Sequence, residues 1–138
     1  MLNNSKKPLL HLGQGVKLSN SVHKIKKLIS KYNLPFSLTW NASDIIESNN
    51  KFYCGRPGAF AERGANFIVQ NCDLFLSIGS RLPYMVTGYN SKDFARNAYR
   101  ITVDIDESEI NKKTIDFQMR INCDAGYFID KLMYYMSS

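Results

Sequence analysis

The segment Cys72-Asp-Leu-Phe-Leu-Ser-Ile-Gly-Ser-Arg-Leu82 determines the architecture that we predict for this chain. Its short apolar run, Leu74–Ile78, is typical of a strand buried on both faces of a sheet. Gly79 follows directly and lets the backbone turn sharply at the carboxyl end of that strand. Ligands of open α/β sheets bind at this edge. The segment therefore predicts a buried strand that opens onto a binding crevice.

An amphipathic helix is predicted just before this strand, from Phe60 to Asn71, and a glycine turn at Gly55–Gly58 precedes it. One side of the helix carries Phe60, Gly64, Phe67, Ile68 and Asn71, and the other side carries Glu62, Arg63, Asn66 and Gln70. This spacing is typical of a helix whose first side packs on a sheet.

The rest of the chain alternates predicted strands and helices. The other strands are 8–12, 36–39, 99–105 and 120–123; the other helices are 18–32, capped by Ser19 or Asn20, and 125–135; helical turns are expected at 44–47, 92–96 and 107–111. Asn33 and Pro35 end the first of these helices. The alternation requires a mainly parallel sheet with helices on both faces, which is a three-layer α/β domain.

Length and composition indicate a single domain. The 138 residues, 44% of them hydrophobic, suffice for one core, so we expect a flexible tail at 1–6 and one domain at 7–138. No apolar run approaches the ~20 residues that span a bilayer, and residues 1–7 lack the apolar block of a secretory signal. We therefore predict a cytoplasmic protein without a membrane partner. Cys54, Cys72 and Cys123 are widely spaced, so neither a disulfide framework nor a metal site is predicted.

The net charge of +6 could indicate an anionic partner, but its placement favours a simpler interpretation. Lys24, Lys27 and Lys31 share one side of the predicted 18–32 helix, where a solvated surface carries charge. No nucleic-acid recognition motif accompanies them. We therefore predict no nucleic-acid partner.

Two glycine turns follow strands and are candidate anion sites. Gly13-Gln14-Gly15 matches the opening of a dinucleotide fingerprint, whose glycines let backbone N–H groups approach a pyrophosphate. Leu18 stands where the third glycine would be, so a plain tight turn is the alternative. The Gly55–Gly58 turn could likewise present N–H groups to an anion or simply be a rigid turn.

Gly79 and Arg81 form a further candidate, because a guanidinium beside a glycine turn can hold a phosphate or carboxylate. The alternative pairs Arg81 with Asp104 or Asp106 at a neighbouring strand end. Those carboxylates could instead accept hydrogen bonds from a ribose.

No catalytic residue is predicted. His11 is expected in the core and His23 in solvent, and the chain has neither a Gly-x-Ser-x-Gly elbow nor a Gly-x-x-x-x-Gly-Lys-Ser/Thr loop.

Taken together and in order, several segments resemble the central domain of thiamine-diphosphate-dependent enzymes, and the closest likeness is to acetolactate synthase large subunits. The segments are Lys7–Val16, Leu34–Thr39, Gly55–Gly58, Gly64–Asn66, Cys72–Leu82, Val86–Gly88, Ile101–Asp106 and Asn122–Asp124. The resemblance implies a six-stranded, Rossmann-like domain, the middle one of three, in an enzyme that ligates or cleaves C–C bonds of 2-keto acids. It also implies that flanking pyrimidine- and diphosphate-binding domains hold thiamine diphosphate and Mg²⁺, that the full enzyme is a homo-oligomer, and that this domain alone is not catalytic.

In the acetolactate synthase branch this domain also carries FAD. The positions that match its binding residues are Gly13, Gln14, Gly15, Thr39, Trp40, Gly58, Gly79, Arg81, Asp104, Ile105 and Asp124. The match fails at Arg81-Leu-Pro-Tyr-Met-Val-Thr-Gly88, where flavin-binding relatives have Arg-Phe-Asp-Asp-Arg-Val-Thr-Gly. Each charged hydrogen bond lost there costs about 1.5–3 kcal/mol. The resemblance names FAD as a candidate, and this departure argues against its binding.

Two other interpretations stay open. One is a stand-alone nucleotide-binding module with the topology of NAD-dependent deacetylases, although three cysteines are fewer than their four-cysteine zinc module requires. The other is a structural or regulatory domain that binds no ligand.

Overall fold

The computed structural model describes residues 1–137 of the chain. Five strands form its sheet: β1 (Pro8–Leu12), β2 (Phe36–Leu38), β3 (Leu74–Ile78), β4 (Tyr99–Asp104) and β5 (Met119–Asn122). Six α-helices connect or flank them: α1 (Gln14–Leu18), α2 (Val22–Tyr32), α3 (Arg63–Asn71), α4 (Tyr84–Thr87), α5 (Glu107–Ile110) and α6 (Ala125–Ser137).

The sheet is parallel throughout, with the strand order β2-β1-β3-β4-β5. From β1 the chain first adds β2 on one side of β1, and then crosses back to add β3 on the other side. The direction in which strands are added therefore reverses between β1 and β3. A crevice opens at such a point in doubly wound sheets. The α/β, Rossmann-like prediction is confirmed.

The sixth strand implied by the resemblance is reduced to a single bridge within residues 1–137. Tyr53 pairs with Phe36 of β2 in an isolated parallel bridge. Phe36 N–H donates to the Phe52 carbonyl at 3.0 Å, and Cys54 N–H donates to the Phe36 carbonyl at 2.8 Å. The segment therefore covers the outer edge of β2 without extending into a full strand.

Apolar side chains bury both faces of the sheet. On one face, Leu10, Leu12 and Ile78 pack beneath α2 and α6. On the other, Leu9 and Phe75 pack beneath α3 and the 94–98 segment. Each fully buried side chain of this size contributes about 1.5–3 kcal/mol, so these two clusters hold the layers together.

The predicted helix at 18–32 is wrong in its first turn. Asn20 adopts a left-handed conformation, φ +53°, and splits the segment into α1 and α2. Ser21, rather than Ser19 or Asn20, precedes α2, and Ser19 Oγ instead donates to the Val16 carbonyl at 3.0 Å. Asn33 ends α2 in the left-handed conformation, as predicted.

Helix α3 begins at Arg63 rather than Phe60 and buries a different side from the one predicted. Ala65 and Val69 are buried, whereas Phe60 is 75% and Phe67 58% exposed. Asn66 supplies the physical reason, because its side chain accepts from Gly58 N–H at 2.8 Å and donates to the Gly58 carbonyl at 2.9 Å. This polar anchor turns the helix so that its aromatic side faces outward.

Two short helical turns were also predicted wrongly. A 3-10 helix occupies Trp40–Ala42 instead of 44–47, and residues 92–96 form turns without a helix. The predicted turn at 107–111 corresponds to α5.

Residues 1–6, expected as a flexible tail, contact the domain. Leu2 packs against the core beneath α2, and Asp73 accepts hydrogen bonds from the Ser5 hydroxyl and from Lys6 N–H, the latter at 2.8 Å. Lys7 N–H also donates to Asp73, at 3.0 Å.

A polar row crosses the buried sheet face beneath α3. His11 lies beside Ser37 and Ser77 on the neighbouring strands, and Thr102 continues the row. His11 is fully buried, as predicted, with its Nδ1 2.9 Å from Ser37 Oγ. Burial lowers the pKa of His11 from 6.5 to about 4, because a charged imidazole would lose its hydration there.

We expect this histidine to make folding pH-dependent. Between pH 6.5 and about 4 the unfolded chain binds a proton at His11 that the folded chain does not, so stability falls as pH drops through that window. The loss is on the order of 3 kcal/mol. Urea unfolding of the wild type and of His11→Gln across this window measures it, because the variant should lack this part of the pH slope. The exposed His23 provides the control: His23→Gln should keep the full slope, and an unchanged slope in His11→Gln would contradict the assignment.

Candidate functional site

A crevice of about 830 Å³ lies at the carboxyl edge of the sheet, where the strand order reverses. The predicted binding residues that line it are Gln14, Gly15, Thr39, Trp40, Gly79, Arg81, Asp104, Ile105 and Asp124. Gly13 and Gly58 lie behind its walls instead. Their roles in ligand binding stay predictions, but the fold brings most of this set to one place.

The glycine turns after β1 and β3 are in direct backbone contact. A Cβ on Gly13 would lie 2.1 Å from the Gly79 carbonyl oxygen, and one on Gly15 would lie 2.7 Å from the Gly79 Cα. Gly79 also has φ +61°, a conformation that side chains disfavour. Glycine at these three positions therefore lets the two strand ends approach each other.

The N–H groups of these glycines already have partners inside the protein. Gly13 N–H donates to the Ile78 carbonyl at 2.9 Å, and Gly15 N–H donates to the Gly79 carbonyl at 3.0 Å. Gly79 N–H donates to the Val103 carbonyl at 2.8 Å. Of the two interpretations of the Gly13–Gly15 turn, this geometry favours the tight turn over a pyrophosphate cradle.

Gly58 supports a crevice wall rather than lining it. A Cβ there would lie 2.5 Å from the Met85 carbonyl oxygen, and the neighbouring Ala59 N–H donates to the same oxygen at 2.8 Å. Because α3 begins only at Arg63, the Gly55–Gly58 turn does not lead directly into a helix start. The turn thus fixes the position of α4.

Three carboxylates form the acidic edge of the crevice, and each is anchored through one oxygen. Asp104 Oδ1 accepts from Asp106 N–H at 2.9 Å, and Asp124 Oδ1 accepts from Tyr127 N–H at 3.0 Å. Asp106 Oδ1 accepts from Ser108 Oγ and N–H at 2.6 and 2.9 Å, and these bonds lower the pKa of Asp106. For Asp104 and Asp124, the second carboxylate oxygen has no hydrogen-bond or ion-pair partner within residues 1–137.

Arg81 pairs with neither Asp104 nor Asp106, so the alternative in which one of these aspartates is its partner is wrong. Its Nε lies 3.7 Å from Glu109 Oε1, and its side chain is 76% exposed. Lys112 Nζ lies 2.9 Å from the other Glu109 oxygen and donates to the Arg81 carbonyl at 3.1 Å. Arg81 acts on Asp106 only as a nearby charge that helps to lower its pKa. The sequence analysis did not identify Glu109 as the partner of Arg81, because the residue pattern of the turn 107–111 does not show which way the Glu109 side chain points.

The remaining crevice walls combine apolar and hydroxyl groups. Trp40, which is half exposed, belongs to the apolar part of the wall. The other apolar residues there are Leu18, Met85, Val86 and Ile105. Ser80 also lines the crevice, and its buried Oγ has no hydrogen-bond partner within residues 1–137. The sequence offered no signal for Ser80 beyond its position after Gly79.

The part of the chain that the structure describes contains no cluster of three or more His, Cys, Asp or Glu side chains that could hold a metal ion. Burial raises the pKa of the Cys72 thiol to about 12 and raises those of Cys54 and Cys123 as well, so these thiols are poor nucleophiles. Among the described helices, none has both the length and the apolar character needed to cross a bilayer.

The crevice residues do not fit the diphosphate of FAD. The glycine N–H groups are occupied, and the lining carries three carboxylates against a single guanidinium that already pairs with Glu109. Segment 82–86, Leu-Pro-Tyr-Met-Val, adds no charge to this wall. A dianionic ligand would therefore meet an acidic edge whose one cation is already paired and whose glycine N–H groups are already donated.

Comparison with known proteins gives a consistent picture. Residues 1–132 match the family described as "Thiamine pyrophosphate enzyme, central domain". The acetolactate synthase large subunit of Cyanidium caldarium is 36% identical over 133 residues, which cover 96% of this chain and 22% of that protein. The isozyme 2 large subunit of Escherichia coli (strain K12) is 34% identical over 112 residues, 81% of this chain and 20% of that protein.

A relative with a different name also matches. The 3D-(3,5/4)-trihydroxycyclohexane-1,2-dione hydrolase of Geobacillus thermodenitrificans (strain NG80-2) is 31% identical over 112 residues, 81% of this chain and 17% of that protein. The chain thus spans about a fifth of the length of the relatives it matches.

Substituting the glycine at the strand contact should destabilise the fold. Gly13→Ala places a methyl group against the Gly79 backbone, which cannot move without shifting β3, and we expect a loss of about 3 kcal/mol. Urea unfolding measures it. Gly64→Ala in α3 is the matched control, since no atom lies within 4 Å of its added Cβ, and it should gain about 0.5–1 kcal/mol. Equal stability of Gly13→Ala and wild type would contradict the contact.

The crevice chemistry also predicts a colourless protein. We expect the purified chain to show no flavin absorbance, and added FAD to leave its melting temperature unchanged, because the crevice offers the diphosphate neither an unpaired cation nor a free glycine N–H group. Absorbance spectra and thermal melts with and without FAD test this. A yellow protein, or a melting temperature that rises with FAD concentration, would contradict the fit described above.

Proposed function

The chain belongs to the thiamine pyrophosphate enzyme central-domain family, and from that premise we propose that it is the middle domain of an acetolactate-synthase-type enzyme that ligates or cleaves C–C bonds of 2-keto acids. The match over residues 1–132 is the observation that carries this proposal. The parallel sheet with its crevice at the strand reversal is the fold expected of such a domain.

Within that enzyme the domain acts as a scaffold. Its crevice offers carboxylates, hydroxyls and apolar walls but no activated nucleophile, which supports a binding or architectural role rather than catalysis. Thiamine diphosphate supplies the carbanion-stabilising chemistry of such enzymes when it is bound. Flanking pyrimidine- and diphosphate-binding domains of the same protein hold that cofactor and its Mg²⁺.

The outward side of α3 supports docking against such neighbours. Phe60 and Phe67 are largely exposed, and Ile68 beside them is partly so. Arg63 lies over the Phe67 ring, 5.7 Å from its centroid. Phe60 lies just before α3 and Phe67 lies on it, and exposed apolar side chains on one segment in this way mark an interaction surface. The proposed enzyme is a cytoplasmic homo-oligomer, and the free thiols of Cys54, Cys72 and Cys123 suit a reducing compartment.

The genomic sequence on both sides of this coding region tests the enzyme class. We expect one continuous reading frame that encodes a domain with the activating glutamate upstream and a Gly-Asp-Gly…Asn segment downstream. Stop codons that close the frame at both ends would contradict the proposal and leave a stand-alone domain.

Activity of the chain by itself tests the scaffold role. With pyruvate, thiamine diphosphate and Mg²⁺, we expect the 138-residue chain to form no acetolactate, because its described residues include no cluster of three or more His, Cys, Asp or Glu side chains that could hold the Mg²⁺. The Escherichia coli isozyme 2 large subunit, assayed alongside, is the positive control. Measurable turnover by the chain alone would overturn this assignment.

A further inference from the structure

We propose that Asp73 is a positioning residue whose carboxylate holds the leading segment, residues 1–7, in one fixed direction at the amino edge of the sheet, where the strands begin. The inference rests on the proposed function in one respect, since under that function the upstream domain adjoins the leading segment in the chain. Asp73 then sets the direction from which that neighbour approaches the sheet.

Both oxygens of the Asp73 carboxylate accept hydrogen bonds from the leading segment. Oδ2 accepts from Lys6 N–H at 2.8 Å, and Oδ1 accepts from Lys7 N–H at 3.0 Å and from the Ser5 hydroxyl. The bond from Ser5, followed by those from the two N–H groups, lowers the pKa of Asp73, so the carboxylate stays ionised. Hydrogen bonds to a charged acceptor are stronger than those between neutral groups.

These bonds differ from those that hold the other aspartates of the sheet ends. Asp104, Asp106 and Asp124 accept from N–H groups two or three residues further on, as turn and cap residues usually do. Asp73 instead accepts across 66 to 68 positions of the chain. It therefore joins two distant segments and does not shape a local turn.

The backbone of Asp73 is itself connected to the three central strands. Asp73 directly precedes β3, and its N–H donates to the Lys7 carbonyl, just before β1, at 3.1 Å. Tyr99 N–H, at the start of β4, donates to the Asp73 carbonyl at 2.9 Å. Because β1, β3 and β4 are neighbours in the middle of the sheet, a segment bound to this carboxylate cannot turn independently of the sheet.

A second, apolar contact holds the other end of the leading segment. Leu2 is partly buried and packs against the core cluster beneath α2 and α6. Between the two contacts the backbone forms a 3-10 turn at Leu2–Asn4, and Ser5 N–H donates to the Met1 carbonyl at 3.0 Å. Terminal segments of domains are poorly ordered unless they are tied down. Contacts at both ends fix the direction of this segment as well as its position.

Nuclear magnetic resonance relaxation of the isotope-labelled 138-residue chain tests the proposal. In the wild type we expect the backbone amides of residues 2–6 to have order parameters of about 0.85, as in rigid backbone. Asp73→Asn removes the charge and places an NH₂ group against the donors, so we expect values below about 0.6 there, with unchanged values in β1 and β3. Low order parameters in the wild type, or equal values in both proteins, would overturn the proposal.

Two further variants control for general effects. Ser5→Ala removes one donor and leaves Asp73 intact, so we expect intermediate order parameters in residues 2–6. If Asp73→Asn does not fold, Ser5→Ala decides, and a leading segment as rigid as in the wild type then contradicts the proposal. Asp116→Asn removes an exposed carboxylate in the loop before β5 and should leave residues 2–6 unchanged. Equal loosening in Asp116→Asn would show an effect of net charge and would also contradict the proposal.

Trypsin provides an independent measurement of the same opening. Cleavage after Lys6 requires the leading segment to leave the sheet, so its rate follows the open population. We expect cleavage at this bond, measured by mass spectrometry, to be about tenfold faster in Asp73→Asn than in the wild type or in Asp116→Asn. Equal rates would overturn the role of Asp73. They would leave the enzyme class untouched, because the reading frame on either side tests that separately.

Discussion

Backbone contact between the Gly13–Gly15 turn and Gly79 sets the geometry of the whole carboxyl edge. The neighbouring strands β1 and β3 end side by side because Gly13, Gly15 and Gly79 have no side chains to separate their backbones. Their hydrogen bonds tie each turn to the strand beside it, from Gly13 to Ile78 and from Gly79 to Val103. The crevice is the space that this closure leaves between the turns and the loops beyond them.

The same edge explains the polarity of the crevice. Parallel strands deliver their terminal residues to one rim, so carboxylates that are separated in the sequence, such as Asp104 and Asp124, become neighbours. Each uses one oxygen to accept a backbone N–H, from Asp106 and from Tyr127, which fixes the carboxylate at the rim. The guanidinium of Arg81 forms an ion pair with Glu109 and so does not neutralise these carboxylates. The cavity is therefore rich in hydrogen-bond acceptors.

Local patterns predicted the features that depend on neighbours in sequence. The apolar run Leu74–Ile78 with Gly79 identified the central strand and its turn, and most of the expected crevice residues do meet at one edge. Features set by distant contacts could not be predicted in this way. The orientation of α3 follows from the bonds of Asn66 to Gly58, and the partner of Arg81 lies 28 positions along the chain at Glu109. Helical spacing alone carries no information about either contact.

The outward orientation of α3 has a consequence for how this domain changes over time. Ala65 and Val69 pack on the sheet beneath α3, whereas Phe67 on the opposite side and Phe60 just before the helix are exposed. Substitutions on the two sides of this helix are thus subject to different constraints. On the buried side the constraint is packing against the sheet, and on the exposed side it is the fit to any surface that docks there. Under the proposed function that surface belongs to a flanking domain, so the exposed side of α3 would limit how freely this domain could be exchanged between enzymes.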